Sequence, residues 1–112
     1  MKDIRLTLTK LWFNLINCGK KTEEYRDITP YYMARLCKNY DKDTCQTCKH
    51  NYCHPEPKGD YVHFTLGYPR NDQPERHMVK RILDIRKGRG RRIWGAPNHR
   101  CFIIKLESHG RD

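Results

Sequence analysis

Long apolar runs are missing from this chain of 112 residues, so no segment is expected to cross a bilayer as a helix. Met1, Lys2, Asp3 and Ile4 lead straight into a strand-like pattern without the apolar core of a secretory leader, which points to a cytoplasmic address. Internal repeats are absent, which excludes a solenoid or propeller. The spacing of a nucleotide-phosphate loop is absent too: Gly19 and Lys20-Lys21-Thr22 stand together without the distant first glycine, so P-loop hydrolysis of a nucleoside triphosphate is not implied. Acid is scarce, with 13 Asp and Glu against 23 Lys and Arg. Apolar residues make up only 37%, yet they gather in short periodic blocks, and at this length they suffice for a single modest core.

What the chain has in excess is positive charge, a net +10. Its placement is uneven. Between residues 76 and 100 nine basic residues face one acid, Asp84, so this stretch carries +8 and the remainder only +2. Such concentration favours polyanions through long-range attraction and counterion release, and the plain alternative is a solvated face that keeps the protein soluble.

The periodicity predicts a mainly β, α+β fold. Ile4, Leu6 and Leu8 alternate with Arg5 and Thr7 as in a half-buried strand. Thr9 is placed to cap a helix in which Leu11, Trp12, Leu15 and Ile16 recur at helical spacing, and Gly19 closes it. A second strand is expected over Thr22 to Arg26, with Thr22, Glu24 and Arg26 on one face and Glu23 and Tyr25 on the other. Thr29-Pro30 opens a second helix whose buried side is Met33, Leu36 and Cys37. Residues 38–59 show no periodicity and read as a long insertion. Val62, Phe64, Leu66 and Tyr68 make the inward side of a third strand, Val79, Leu83 and Ile85 that of a fourth, and Phe102, Ile104 and Leu106 that of a closing strand. About five short strands and two helices suggest a small, curved, mostly antiparallel sheet closing toward a barrel, one domain over residues 1–112.

The chemistry concentrates at Gly19-Lys20-Lys21-Thr22-Glu23-Glu24-Tyr25-Arg26, where a helix ends, lysines follow at once, and a strand displays a carboxylate and a guanidinium two residues apart. Together with Trp12 and with Trp94-Gly95-Ala96-Pro97 before the last strand, this segment resembles the ASCH domain family over roughly residues 4 to 36 and 61 to 107. The resemblance implies a PUA-like β-barrel and an RNA-binding cleft at its mouth, lined by Lys21, Glu24 and Arg26. Lys21 supplies a point charge for a phosphate, Arg26 a planar fork for a phosphate or base edge, and Glu24 an acceptor for a base amino group. The structural alternative has Glu24 and Arg26 paired to a neighbouring strand and Lys21 solvated in a turn.

Some proteins that look like this family hydrolyse acetylated cytidine with a lysine base and a threonine nucleophile three residues later. Position 24 here is Glu, and a carboxylate does not replicate threonine acylation. Binding of RNA or a nucleotide is therefore expected ahead of catalysis. The alternatives are a hydrolase on RNA or a modified nucleoside, with Lys21 and Glu24 as proton-transfer pair, and a protein-interaction module.

Two further segments complete the expectation. The basic loop, residues 86–99, intersperses glycines with Arg89, Arg91 and Arg92, which suit phosphates, and Trp94, which suits stacking on a base or plugging the barrel end. The insertion holds Cys45-x-x-Cys48, which with Cys37 and Cys53 reaches the four thiolates of a structural zinc site, His50 and His54 being substitutes. Zinc would order a loop too polar to build its own core; free buried thiols or an oxidised pair are the competing readings. Cys18 and Cys101 read as core residues.

Overall fold

The computed structural model describes residues 3–37, 40–43, 45, 55, 60–70 and 72–108. These form β1 (Asp3–Leu8), α1 (Lys10–Asn17), β2 (Glu23–Arg26), α2 (Pro30–Leu36), β3 (Tyr61–Leu66), β4 (His77–Gly88) and β5 (Cys101–Leu106), with single 3-10 turns at Pro74–Arg76 and Arg92–Trp94. The five strands make one curled sheet in the order β1-β3-β4-β5-β2. β1 runs parallel to β3, and the other three pairings are antiparallel. The result is a small mixed α+β protein with a half-barrel sheet and two helices, as the periodicity predicts at this coarse level. No described helix is long and apolar enough to cross a membrane.

Each helix covers the hollow of the sheet. Phe13 and Ile16 of α1 and Met33 and Leu36 of α2 meet Ile4, Leu6 and Leu8 of β1, Val62 and Phe64 of β3, and Phe102, Ile104 and Leu106 of β5 in one apolar core. Burying side chains of this size stabilises the fold by about 1.5–3 kcal/mol each before chain entropy is counted. Thr29 caps α2 as expected, its hydroxyl accepting from the Tyr32 N–H, and Pro30 occupies the first helical position. Thr9 stands at the start of α1 but makes no side-chain cap; only its carbonyl enters the helix ladder.

Several inward assignments change. In α1 Phe13 is buried, while Leu11 points out. Cys18 is exposed, whereas Cys101 is buried as expected. β3 ends at Leu66, because Gly67 adopts a left-handed φ of 67° that side chains disfavour. That turn ejects Tyr68, which is 95% exposed instead of continuing the inward row. In β4 a bulge between Ile82 and Asp84 inserts one residue and inverts the alternation. Met78 and Lys80 therefore face inward before the bulge and Ile85 after it, leaving Val79 and Leu83 outside. Lys80 is fully buried opposite Val62, and its ammonium finds no hydrogen-bond partner among the described residues.

β5 is buried on both faces. Phe102, Ile104 and Leu106 point to the helices, while Cys101 and Ile103 lie under a second cluster with Tyr25, Ala96 and Trp94. The basic loop supplies this cover, folding back over β5 and β2.

Candidate functional site

The sheet does not close by backbone pairing between its edge strands β1 and β2. Arg26 spans the gap instead: its Nη2 donates to the Thr7 carbonyl of β1 at 2.8 Å and to Glu24 Oε2 at 2.8 Å, and its Nη1 to the Tyr32 hydroxyl of α2 at 3.2 Å. Lys21 Nζ donates to the other carboxylate oxygen, Glu24 Oε1, at 3.0 Å. One carboxylate thus stands between two cations, and the trio keeps a net charge of about +1.

The local chain explains this meeting. The Lys21 N–H bonds back to the Leu15 carbonyl, which folds the residues after α1 against the helix, and Thr22 accepts from the Leu106 N–H as β2 begins. Lys21 is buried, and its ammonium lies 4.3 Å from the centre of the Trp12 ring, a cation–π placement. Burial pulls its pKa below the ordinary 10.5, with Glu24 opposing and Arg26 adding to the fall.

Above this floor opens a slot of about 220 Å³, lined among others by Thr9, Trp12, Tyr25, Trp94 and Gly95. Gly95 has a left-handed φ of 88°, and a Cβ there would come within 2.7 Å of the Trp12 ring. The close approach of loop to helix that shapes the slot thus needs glycine. Tyr25 fixes the loop's root, its hydroxyl donating to Glu23 at 2.8 Å and accepting from the Arg91 N–H at 3.0 Å. Burial raises the Tyr25 pKa strongly; the Arg91 N–H works against the rise and Glu23 adds to it.

Lys21, Glu24 and Arg26 therefore come together as one unit, but Lys21 is neither a solvated turn residue nor a bare phosphate ligand, because Glu24 already pairs with it. Trp94 is half-buried and faces both ways, packing on the second cluster and lining the slot. Arg91 stacks over it at 4.9 Å, and Arg89, Arg91 and Arg92 are all exposed. The other basic residues of the 76–100 stretch are scattered by strand alternation: Lys80 is buried, Arg81 points outward, and Arg86 lies 3.6 Å from Glu23. Trp12, which helical spacing assigns to the core, proves to line the slot as well.

Cys37 and Cys45 are half-buried and pack against the main core. Cys48 and Cys53, with His50 and His54, lie outside the described residues, and among the described residues no three His, Cys, Asp or Glu side chains group as metal ligands.

Fold and site together define a small α+β domain with an aromatic-lined, weakly cationic slot at the seam of a half-barrel. Comparison with protein-family models, with curated proteins and with solved structures found no match.

Proposed function

We propose that this is a PUA-like barrel of the ASCH type and that it binds RNA or a nucleotide at the slot between β1 and β2. The observation that carries the reading is the joining, around one small opening, of Trp12 and Trp94 with a carboxylate held between two cations. Rings offer a base a stacking surface, Glu24 and Arg26 offer an acceptor and donors for its edge, and the exposed Arg89, Arg91 and Arg92 attract the phosphates. At about 220 Å³ the slot falls below the roughly 300–1,000 Å³ of whole-ligand pockets, so it suits one base or one phosphate of a longer ligand. The curl of the sheet supports the barrel assignment, and an RNA ligand suits a cytoplasmic address.

Titration with short single-stranded RNA at several salt concentrations tests this. Affinity should fall steeply with salt. Lys21→Ala, Arg26→Ala and Trp94→Ala should each weaken binding more than Lys42→Ala, whose side chain is exposed away from the slot lining. Equal losses for all four would remove the slot from consideration.

One observation favours a second reading, hydrolysis of RNA or a modified nucleoside. Lys21 is held against Glu24 with its pKa lowered by burial, as a proton-transfer residue requires. Product formation from acetylcytidine or single-stranded RNA that Lys21→Ala abolishes would establish it.

The insertion is proposed to take one structural zinc on Cys37, Cys45, Cys48 and Cys53. The half-buried placement of the first two against the core fits thiolates shielded from water. Elemental analysis of purified protein finding less than one zinc per chain would end this part of the reading.

A further inference from the structure

Beside the slot lies a larger basin of about 500 Å³, bounded by β1, the start of α2 and the turn after β3. Thr7 and Arg26 line both hollows, so the two are contiguous across a shared wall. That wall is rigid, because the Arg26 guanidinium is tied to Glu24, Thr7 and Tyr32 at once.

The chemistry of the basin differs from that of the slot. Three tyrosines, Tyr31, Tyr32 and Tyr68, contribute to it, together with Arg5 and His77, and no carboxylate lines it. No acid among the described residues pairs with Arg5. Tyr68 stands almost wholly in solvent, at a turn that the left-handed Gly67 enforces. A ring so exposed buries little area for the fold. Arg35 sits over Tyr31, its guanidinium carbon 3.5 Å from the ring centre. Exposed rings beside a cation without an acid partner are the means by which single-stranded nucleic acids are held without sequence readout.

We infer that the basin is a second stacking subsite, and that the ligand is a single-stranded RNA segment of two or more nucleotides, one base entering the slot and a neighbour resting on Tyr68. The inference rests on the slot being a nucleotide site. An acidic peptide is the competing occupant, but it has no use for the exposed rings.

Calorimetric titration with a nucleoside monophosphate and with single-stranded RNAs of two, four and six nucleotides provides the test. Affinity should step up by roughly tenfold or more once a second base is present. Tyr68→Ala, at a site too exposed to affect folding, should erase most of that step with mononucleotide affinity retained; Arg5→Ala should reduce it and lower the salt slope by about one. If both variants keep the step, if a chain of equal length lacking bases binds as well, or if polyglutamate displaces the hexanucleotide as efficiently as RNA does, the subsite is refuted. Failure of the slot reads differently: Trp94→Ala would leave mononucleotide affinity untouched while the Tyr68-dependent step persists.

Discussion

Lys21 and Arg26 carry the same charges as Arg89, Arg91 and Arg92 a short distance away, but the protein holds the two groups in opposite ways. The first pair is sunk at the seam of the sheet, shares one carboxylate, and is locked by hydrogen bonds to three elements. The loop arginines stand in water, with Arg91 resting on a tryptophan ring. Buried charge in a fixed geometry gives selectivity, because any group that displaces a partner must match its position; exposed charge gives attraction at a distance and little else. The division of labour is between an arrangement that chooses and one that collects.

Stability measurements break the comparison most directly. Glu24→Ala strands Lys21 as a buried, unpaired ammonium beside Arg26 and should cost about 3–5 kcal/mol in urea unfolding. Alanine at Arg89, Arg91 or Arg92 should change stability by no more than about 0.5 kcal/mol each. A Glu24→Ala protein as stable as these would mean that water reaches Lys21 freely and that the two groups do not differ.

Between the two groups lies Gly95, where loop meets helix. Gly95→Ala combines a left-handed backbone with a contact against Trp12, and should cost about 1–3 kcal/mol by thermal melting. Affinity should fall with it, because the slot loses its shape. Smaller in free energy, but sharper as a discriminator, is the salt dependence of RNA binding. Replacing Arg89, Arg91 and Arg92 together should lower the log–log slope by about 2, whereas Trp94→Ala should weaken binding at every salt concentration and leave the slope as it was.

The strand and helix pattern was readable from the sequence because it depends on local spacing; the Val62, Phe64, Phe102 and Ile104 rows are where alternation puts them. The approach of Lys21, Glu24 and Arg26 was readable too, since all three sit within one turn and one strand. What spacing does not carry is where a pattern changes phase or what folds over it. The β4 bulge turned Val79 and Leu83 outward, and its only local trace is a basic residue, Lys80, in the row that became inward. Cys101 reads as core from the sequence, but spacing did not show that the cover over it and Ile103 comes from the loop that folds back on β5. The basin was missed for a similar reason: Tyr68 continues the alternation of β3, and the signal against it was the glycine just before and the proline just after.

The finest test of the contrast between buried and exposed cations is the pH dependence of stability on the alkaline side. Lys21 gives up its proton more readily in the folded chain than in the unfolded one, so below pH 10.5 the folded state holds fewer protons and stability climbs with pH. Tyr25 does the reverse. Its hydroxyl stays protonated in the fold above the ordinary 10.0, so the folded state holds more protons there and stability declines. Cys101 acts in the same sense as Tyr25, burial keeping its thiol protonated above the ordinary 9.0. Urea midpoints measured from pH 8 to 11 should therefore rise and then fall, with Lys21→Met flattening the rise and Tyr25→Phe and Cys101→Ala each lessening the fall. Arg91→Ala should leave the rise intact, since that side chain is exposed and is no part of the buried Lys21–Glu24 pair. A wild-type curve that declines throughout, and that Lys21→Met leaves unchanged, would mean that Lys21 is hydrated like the loop arginines, and the distinction between the two groups of cations would be lost.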